Sequence, residues 1–328
     1  MPSITCNSPG FSEAVISVSD IDSWITFLER VFKWEVVCCG EPAPGVHGLW
    51  RLPKSARIVE AFVRDPNAQT DLGAIRLVQF SHIDQQQARP NAYAWDTGGF
   101  FDLHVQVRDV HALFEDMQRD GWSGYTPVQR LEVGGVVLDE VLIHGPDGMA
   151  FALIERVSPP FQVVEGYRRV SPAWNAPQMV ADFSAVHKFY TDGLGFIPTI
   201  ETEMTPAPNG DNLYGLPLSV GKQIPTQLAF FHPTGTRGAI GSVDLLHLVG
   251  LEGRRLSSTT RPPNFGLVLL RYPVSDLDAY IAAIGVAGIK IHTGPVDIEL
   301  DPIGSIRVAS VLSPEGAWIE FYEQKAGA

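Results

Sequence analysis

Apolar residues in this chain change period in a way that repeats four times. From Asn175 an extended run, NAPQMVAD, closes on Asp182, and Phe183, Val186, Phe189 and Tyr190 then recur at i, i+3, i+6 and i+7. The first pattern predicts a strand and the second an amphipathic helix, with Asp182 as its N-cap and Gly193 and Gly195 supplying its stop. Ala14 to Val36 carries the same strand ending in V-S-D, followed by Trp24, Phe27, Leu28 and Val31 on one helical face. Asp102 to Trp122 repeats it with Leu113, Phe114, Met117 and a stop at Gly121, and Leu269 to Gly288 is a fourth copy. The capping aspartates Asp20, Asp109, Asp182 and Asp276 are separated by 109 − 20 = 89, 182 − 109 = 73 and 276 − 182 = 94 residues. One such unit is too short to bury its own sheet face, so the copies must pair or stack.

Taken in order, module one spans about 11–82, with strands expected around Leu49 to Leu52, Arg57 to Arg64 and Gly73 to Phe80. A Gln-rich linker follows, and module two spans about 98–157, closing with Pro146-Asp-Gly148 and the strand Met149 to Ile154. Val157-Ser-Pro-Pro160 reads as a boundary, dividing the chain into 1–160 and 161–328. Module three spans about 168–250 and parallels module one; module four spans about 264–325 and ends with Pro314-Glu-Gly316 and an apolar strand. Pairing of one with two and three with four, or of one with four and two with three, both stay open. The second would bring Glu13 and Glu320 together.

The strand ending in V-x-D before a helix, the F-Y-x-x-x-L-G-F of Phe189 to Phe196, and Pro-Asp/Glu-Gly before an apolar strand together resemble the vicinal oxygen chelate superfamily. That superfamily includes glyoxalase I, the bleomycin-resistance proteins and the extradiol dioxygenases. The resemblance implies an α+β fold of four βαβββ modules, paired into two curled, cleft-forming mixed sheets. It covers nearly the whole chain and speaks to fold more than to reaction, because one fold hosts many chemistries.

Composition narrows the partners. With 45% hydrophobic and 19% charged residues the 328-residue chain holds two globular domains of ordinary size, and a charge of −13 without any Lys/Arg-rich run argues against nucleic acid. A small molecule is the expected partner, for a monomer or homodimer. Three cysteines, of which Cys38 and Cys39 are adjacent and point to opposite strand faces, suit a reducing compartment. The N-terminal MPSITCNSPGF lacks the features of a secretory signal and no run reaches a membrane span, so the expectation is a cytoplasmic protein.

The resemblance also says where chemistry sits. Ligands to a divalent metal (Zn, Fe, Mn or Ni), when one is present, come from the first and last strands of facing modules, and a metal-free cleft stands equally open. A count of seven residues back from each capping aspartate gives Glu13, Asp102, Asn175 and Leu269. The last-strand positions are Arg76, Ala152, Asp244 and Glu320. His104 falls two residues beyond Asp102, on the same strand face. This set departs from the His/Gln/Glu pattern of glyoxalase I and from the first-strand histidines of extradiol dioxygenases, so a standard member of either is disfavoured. Asp244 and Glu320 are the candidate metal carboxylates. Arg76, Asp102 and His104 are the candidate catalytic groups: an acid or base pair, and a fixed positive charge to hold an enolate oxygen in place of a metal. The bland alternatives are Arg76 paired with Glu60 or Asp65, and His104 as a satisfied core histidine. Glu13, Trp50, Phe62, Phe101, Asn175 and Trp318 are the candidate substrate contacts, with the four aromatic residues equally able to be core and Glu13 able instead to cap or salt-bridge at a strand start. Two functions follow: an atypical enzyme of the lyase, isomerase or dioxygenase kind acting on a small, oxygen-bearing, partly aromatic metabolite, or a metal-free protein that sequesters such a molecule.

Overall fold

The computed structural model describes residues 4–43, 45–133, 135–159 and 166–325. Each expected helix begins where a local interaction starts it. The carboxylates of Asp20, Asp109, Asp182 and Asp276 accept from the backbone N–H three residues on, at Ser23 (3.1 Å), Ala112 (3.0 Å), Ala185 (2.9 Å) and Ala279 (2.9 Å). The helices run Ile21–Phe27, Val110–Arg119, Phe183–Lys188 and Leu277–Val286, and the first and third continue through one wider turn, Leu28–Phe32 and Phe189–Gly193. Gly193 lies inside that last turn, and Gly195 (φ 74°) takes the left-handed stop; in module one Lys33 (φ 64°) does so.

The strands form two sheets. In the eight-stranded sheet the order is Ile291–Leu300, Gly304–Leu312, Trp318–Gln324, Gly266–Pro273, Glu13–Ser17, Ala74–Ser81, Arg57–Arg64 and Glu35–Gly40. This sheet unites modules four and one. The nine-stranded sheet unites modules three and two: Ile197–Met204, Thr226–His232, Ser242–Leu248, Asn175–Met179, Leu103–Gln106, Ala150–Ser158, Val136–His144 and Ser123–Gly124, with Gln129–Val133 added beside Val136–His144. Modules therefore join across the boundary near residue 160, not within each half; Pro160 itself lies outside the described residues. In each sheet the two first strands pair antiparallel at the centre, Glu13 opposite Arg271 and His104 opposite Asn175.

One cluster of buried side chains packs the four helices against the convex sheet faces, and each concave face has a cluster of its own. The strand expected at Leu49 to Leu52 does not form. Val46–Leu49 is instead one helical turn, because Val46, Leu49 and Trp50 fall at i, i+3 and i+4 and all three bury together over the first sheet with Ile298 and Trp318. Cys38 is half-buried, Cys39 exposed, and both are free thiols. No helix of the described residues is long and apolar enough to cross a membrane.

Candidate functional site

The two concave faces present equivalent positions with opposite contents. Along the first sheet, Arg271 sits opposite Glu13 and beside Glu320, and Arg76 stands two places along from Glu13 on the neighbouring strand. Along the second sheet the same relations place His104 opposite Asn175 and beside Ala152, with Asp244 where Arg76 stands. The first-strand position therefore lies seven residues before the cap in modules one and three but five before it in modules two and four (109 − 104 and 276 − 271). Counting seven everywhere lands on Asp102 and Leu269 and misses His104 and Arg271.

In the first sheet this quartet is an ionic core. Arg76 donates through Nε (2.9 Å) and one terminal nitrogen (3.0 Å) to Glu13, through its other terminal nitrogen to Glu60 (2.9 Å), and to the carbonyl of Asp301 (2.8 Å). Arg271 bonds Glu13 and, at 2.8 Å through Nε, Glu320, whose other oxygen accepts from Trp50 Nε1 at 2.8 Å. Glu13, Arg76, Arg271 and Glu320 have no exposed surface. Burial alone would raise the Glu13 carboxyl, but the charges and hydrogen bonds of Arg76 and Arg271 outweigh it and hold the group below the ordinary range; Glu60 is raised, because burial outweighs its one guanidinium. Each nitrogen of Arg76 already donates to Glu13, Glu60 or the Asp301 carbonyl, and the side chain has no exposed surface, so it serves the ionic core rather than a ligand. Phe62 lies under its guanidinium at 5.3 Å, and Trp50 and Trp318 belong to the buried cluster that fills this face.

The second sheet's face is less tightly filled. Leu138, Trp174, Met204, Leu213, Val220 and Phe230 line it half-buried, with Trp174 and Phe230 stacked 6.2 Å apart at 8°. At its floor Asn175 Nδ2 donates to Asp244 at 2.8 Å and lies 3.2 Å from His104 Nδ1, and His104 Nε2 is 3.5 Å from Asp102. Both Asp102 oxygens and Asn175 Oδ1 are buried without a hydrogen-bond partner. A third carboxyl joins them: Glu140, on Val136–His144, shares the concave side with Leu138 and Leu142, whereas Asp139 turns to Arg130 (2.5 Å) on the other. Asp102 and Asp244 are buried; Glu140 alone of the three keeps part of its surface open.

Burial sets the protonation here. It pushes Asp244 up to about 7, the Asn175 hydrogen bond holding it back, and pushes Glu140 up to about 8 with help from the Asp244 charge. Asp102 is raised well above the ordinary carboxylate range by burial and by Asp244 and Glu140, and burial drops His104 to about 3, so the imidazole is neutral. Three carboxyls that burial raises toward or past neutrality on one sheet face mark it as the candidate site. Glu140 was missed from sequence because it lies on neither a first nor a last strand. Its signal was a charged residue in register with the apolar Leu138 and Leu142.

The first face does not fit a divalent ion, and the second offers an incomplete set. In the first sheet two of four positions are guanidiniums; in the second they are an imidazole, a carboxyl, an amide and the methyl of Ala152. The proposed metal carboxylates Asp244 and Glu320 lie in different sheets, so they cannot share one ion, and among the described residues no three His, Cys, Asp or Glu side chains converge to hold one. Of the remaining candidates, Glu13, Trp50, Phe62 and Trp318 lie in the ionic half, while Phe101, Asp102, His104 and Asn175 lie in the other.

Residues 175–321 match the family model described as the glyoxalase/bleomycin resistance protein/dioxygenase superfamily. Among solved structures, glyoxalase I from Zea mays is 17% identical, with 96% of this chain and 92% of that chain covered at a TM-score of 0.59. A putative dioxygenase from Bacillus subtilis is 10% identical, with 98% and 87% covered at a TM-score of 0.59. These likenesses extend the four-module fold over the whole length. No curated protein sequence matches the chain.

Proposed function

We propose, from the match of residues 175–321 to the superfamily that holds glyoxalases, bleomycin-resistance proteins and dioxygenases, an enzyme of the isomerase or lyase kind that moves a proton in the cleft of modules two and three. Its substrate is a small molecule with adjacent oxygens and a planar or aromatic part that packs on the Trp174–Phe230 wall. Glu140, open to the cleft, removes the proton from the carbon beside a carbonyl, which leaves an enolate or enediolate. Delivering that proton to the former carbonyl carbon, while the hydroxyl proton passes to the former carbonyl oxygen, completes an isomerisation; loss of a leaving group from the carbon on the other side of the deprotonated one completes an elimination. Asp244 acts through Glu140 by raising its proton affinity, and Asn175, set beside the neutral His104, holds Asp244 in place.

The observation that carries this reading is Glu140, a carboxyl at about 8 on a partly open concave face. The test is proton NMR in D2O of aryl-substituted α-hydroxy ketones and 2-oxo acids incubated with the protein. We expect exchange at the carbon beside the carbonyl, abolished in Glu140→Gln. In Asp244→Asn the alkaline-rising limb of the pH profile moves to lower pH, because the charge that raises Glu140 is gone. Wild-type exchange in Glu140→Gln overturns the assignment. The stacked aromatic pair favours one other reading, sequestration of an aromatic molecule, and tight binding without exchange of any compound would select it.

A further inference from the structure

Beside this cleft lies a pocket of about 250 Å3 lined by Gln87, Arg89, Phe101, Tyr125, His144 and Ala150, among others. Phe101 and Ala150 belong to the apolar cluster of the second sheet's concave face, and Asp102 follows Phe101 directly, so pocket and cleft share a wall. Arg89 is the unusual group in it. It is only 6% exposed, yet among the described residues no carboxylate pairs with it: its terminal nitrogens donate to the carbonyls of Gly98 (2.8 Å) and Asp96, and its Nε has no hydrogen-bond partner there. The nearest carboxylates are otherwise engaged. Asp96 accepts from the Arg254 side chain (2.7 Å) and from the backbone N–H groups of Tyr93 (2.9 Å) and Arg254 (2.7 Å), and Asp102 holds its proton well above the ordinary range.

A buried guanidinium without a directly paired carboxylate is costly to keep. Burial lowers Arg89 to about 10, which still leaves it charged at neutral pH. Its guanidinium lies 5.1 Å from the centre of the Phe101 ring, a partly compensating contact that leaves the charge facing the pocket region. Tyr125 adds an aromatic wall, 6.2 Å from Phe101 and 4.8 Å from His144 between ring centres.

We propose that this pocket is an anion subsite in which Arg89 receives the carboxylate or phosphate group of a small organic acid whose ring packs against the aromatic wall of Phe101 and Tyr125. The inference rests on the reading of the adjoining cleft as a substrate site, and it narrows the substrate to an anion carrying a planar group. The fork of donors on arginine suits an oxyanion, and hydrogen bonds to charged groups are stronger than neutral ones.

The test is calorimetric titration of the whole protein with benzoate, phenyl phosphate and the neutral isostere benzamide. One of the two anions is expected to bind at least about ten-fold more tightly than benzamide, and which one it is separates a carboxylate from a phosphate ligand. Arg89→Gln is expected to erase that preference. Because Arg89 also braces two backbone carbonyls, the second variant is His144→Glu, at an exposed position on the pocket wall, which is expected to weaken the anion and leave benzamide unchanged. Equal binding of benzoate, phenyl phosphate and benzamide, or anion affinity unaltered in both variants, overturns the proposal. Its failure is distinct from that of the proton-transfer reading: anion binding without deuterium exchange sinks only the latter, and exchange without anion preference sinks only the former.

Discussion

At the scale of single residues, the two concave faces differ in how buried charge is balanced. Glu13 is stabilised as a carboxylate by two guanidiniums, whereas Glu140 and Asp244 have burial against them and only one amide donor between them. Their pH signs are therefore opposite. A carboxyl lowered in the folded state contributes stability above its unfolded value, and Glu13 loses that contribution as pH falls through its folded value. A raised carboxyl contributes most when protonated, so Asp244 and Glu140 lose theirs as pH rises from the ordinary carboxylate range through about 7 and about 8. Carbon-detected NMR of side-chain carboxyls, assigned with Asp244→Asn and Glu140→Gln, is expected to show two titrations in that neutral-to-alkaline range. Both resonances completing titration below pH 5 would remove the proton-transfer argument. Little of this was legible beforehand. Asp102, Asn175 and Asp244 were within reach of a counting rule, but Glu140 and Arg271 were not, because desolvation and partner choice arise only when distant strands meet.

At the scale of elements, the caps were the most legible feature. An aspartate three residues before the N–H it accepts is a local arrangement that needs no tertiary context, and all four caps formed at the expected positions. The segment after the second strand of modules one and three was less legible: a Pro/Gly-rich run hides a short helical turn whose apolar residues only gain by docking on a sheet already made. In module one that turn plugs the concave face through Leu49, which is fully buried; its counterpart in module three, Leu218–Gly221, leaves Leu218 57% exposed. Leu49→Ala is accordingly expected to cost about 2–5 kcal/mol, and Leu218→Ala less than about 0.5 kcal/mol, in chemical denaturation. Equal costs would contradict the idea that one face is plugged and the other left accessible.

At the scale of the whole molecule, four copies of one unit have been assembled into two sheets of different use. Which modules pair was not legible, since neighbouring and crossed pairings place the same hydrophobic faces inward; the crossed arrangement appears in the register of Glu13 opposite Arg271 and His104 opposite Asn175. The first sheet's ionic core ties module one to module four, and the second sheet's cleft keeps titratable groups that no ion pair satisfies. A matched pair of variants tests this division directly, Glu320→Ala in the first sheet and Glu140→Gln in the second, with unfolding free energy and deuterium exchange measured on both. Glu320→Ala strands Arg271 and Trp50 and is expected to lose about 3–5 kcal/mol of stability, with exchange retained by the folded fraction. Glu140→Gln is expected to keep its stability and lose exchange. Stability unchanged in Glu320→Ala together with exchange intact in Glu140→Gln would contradict the account.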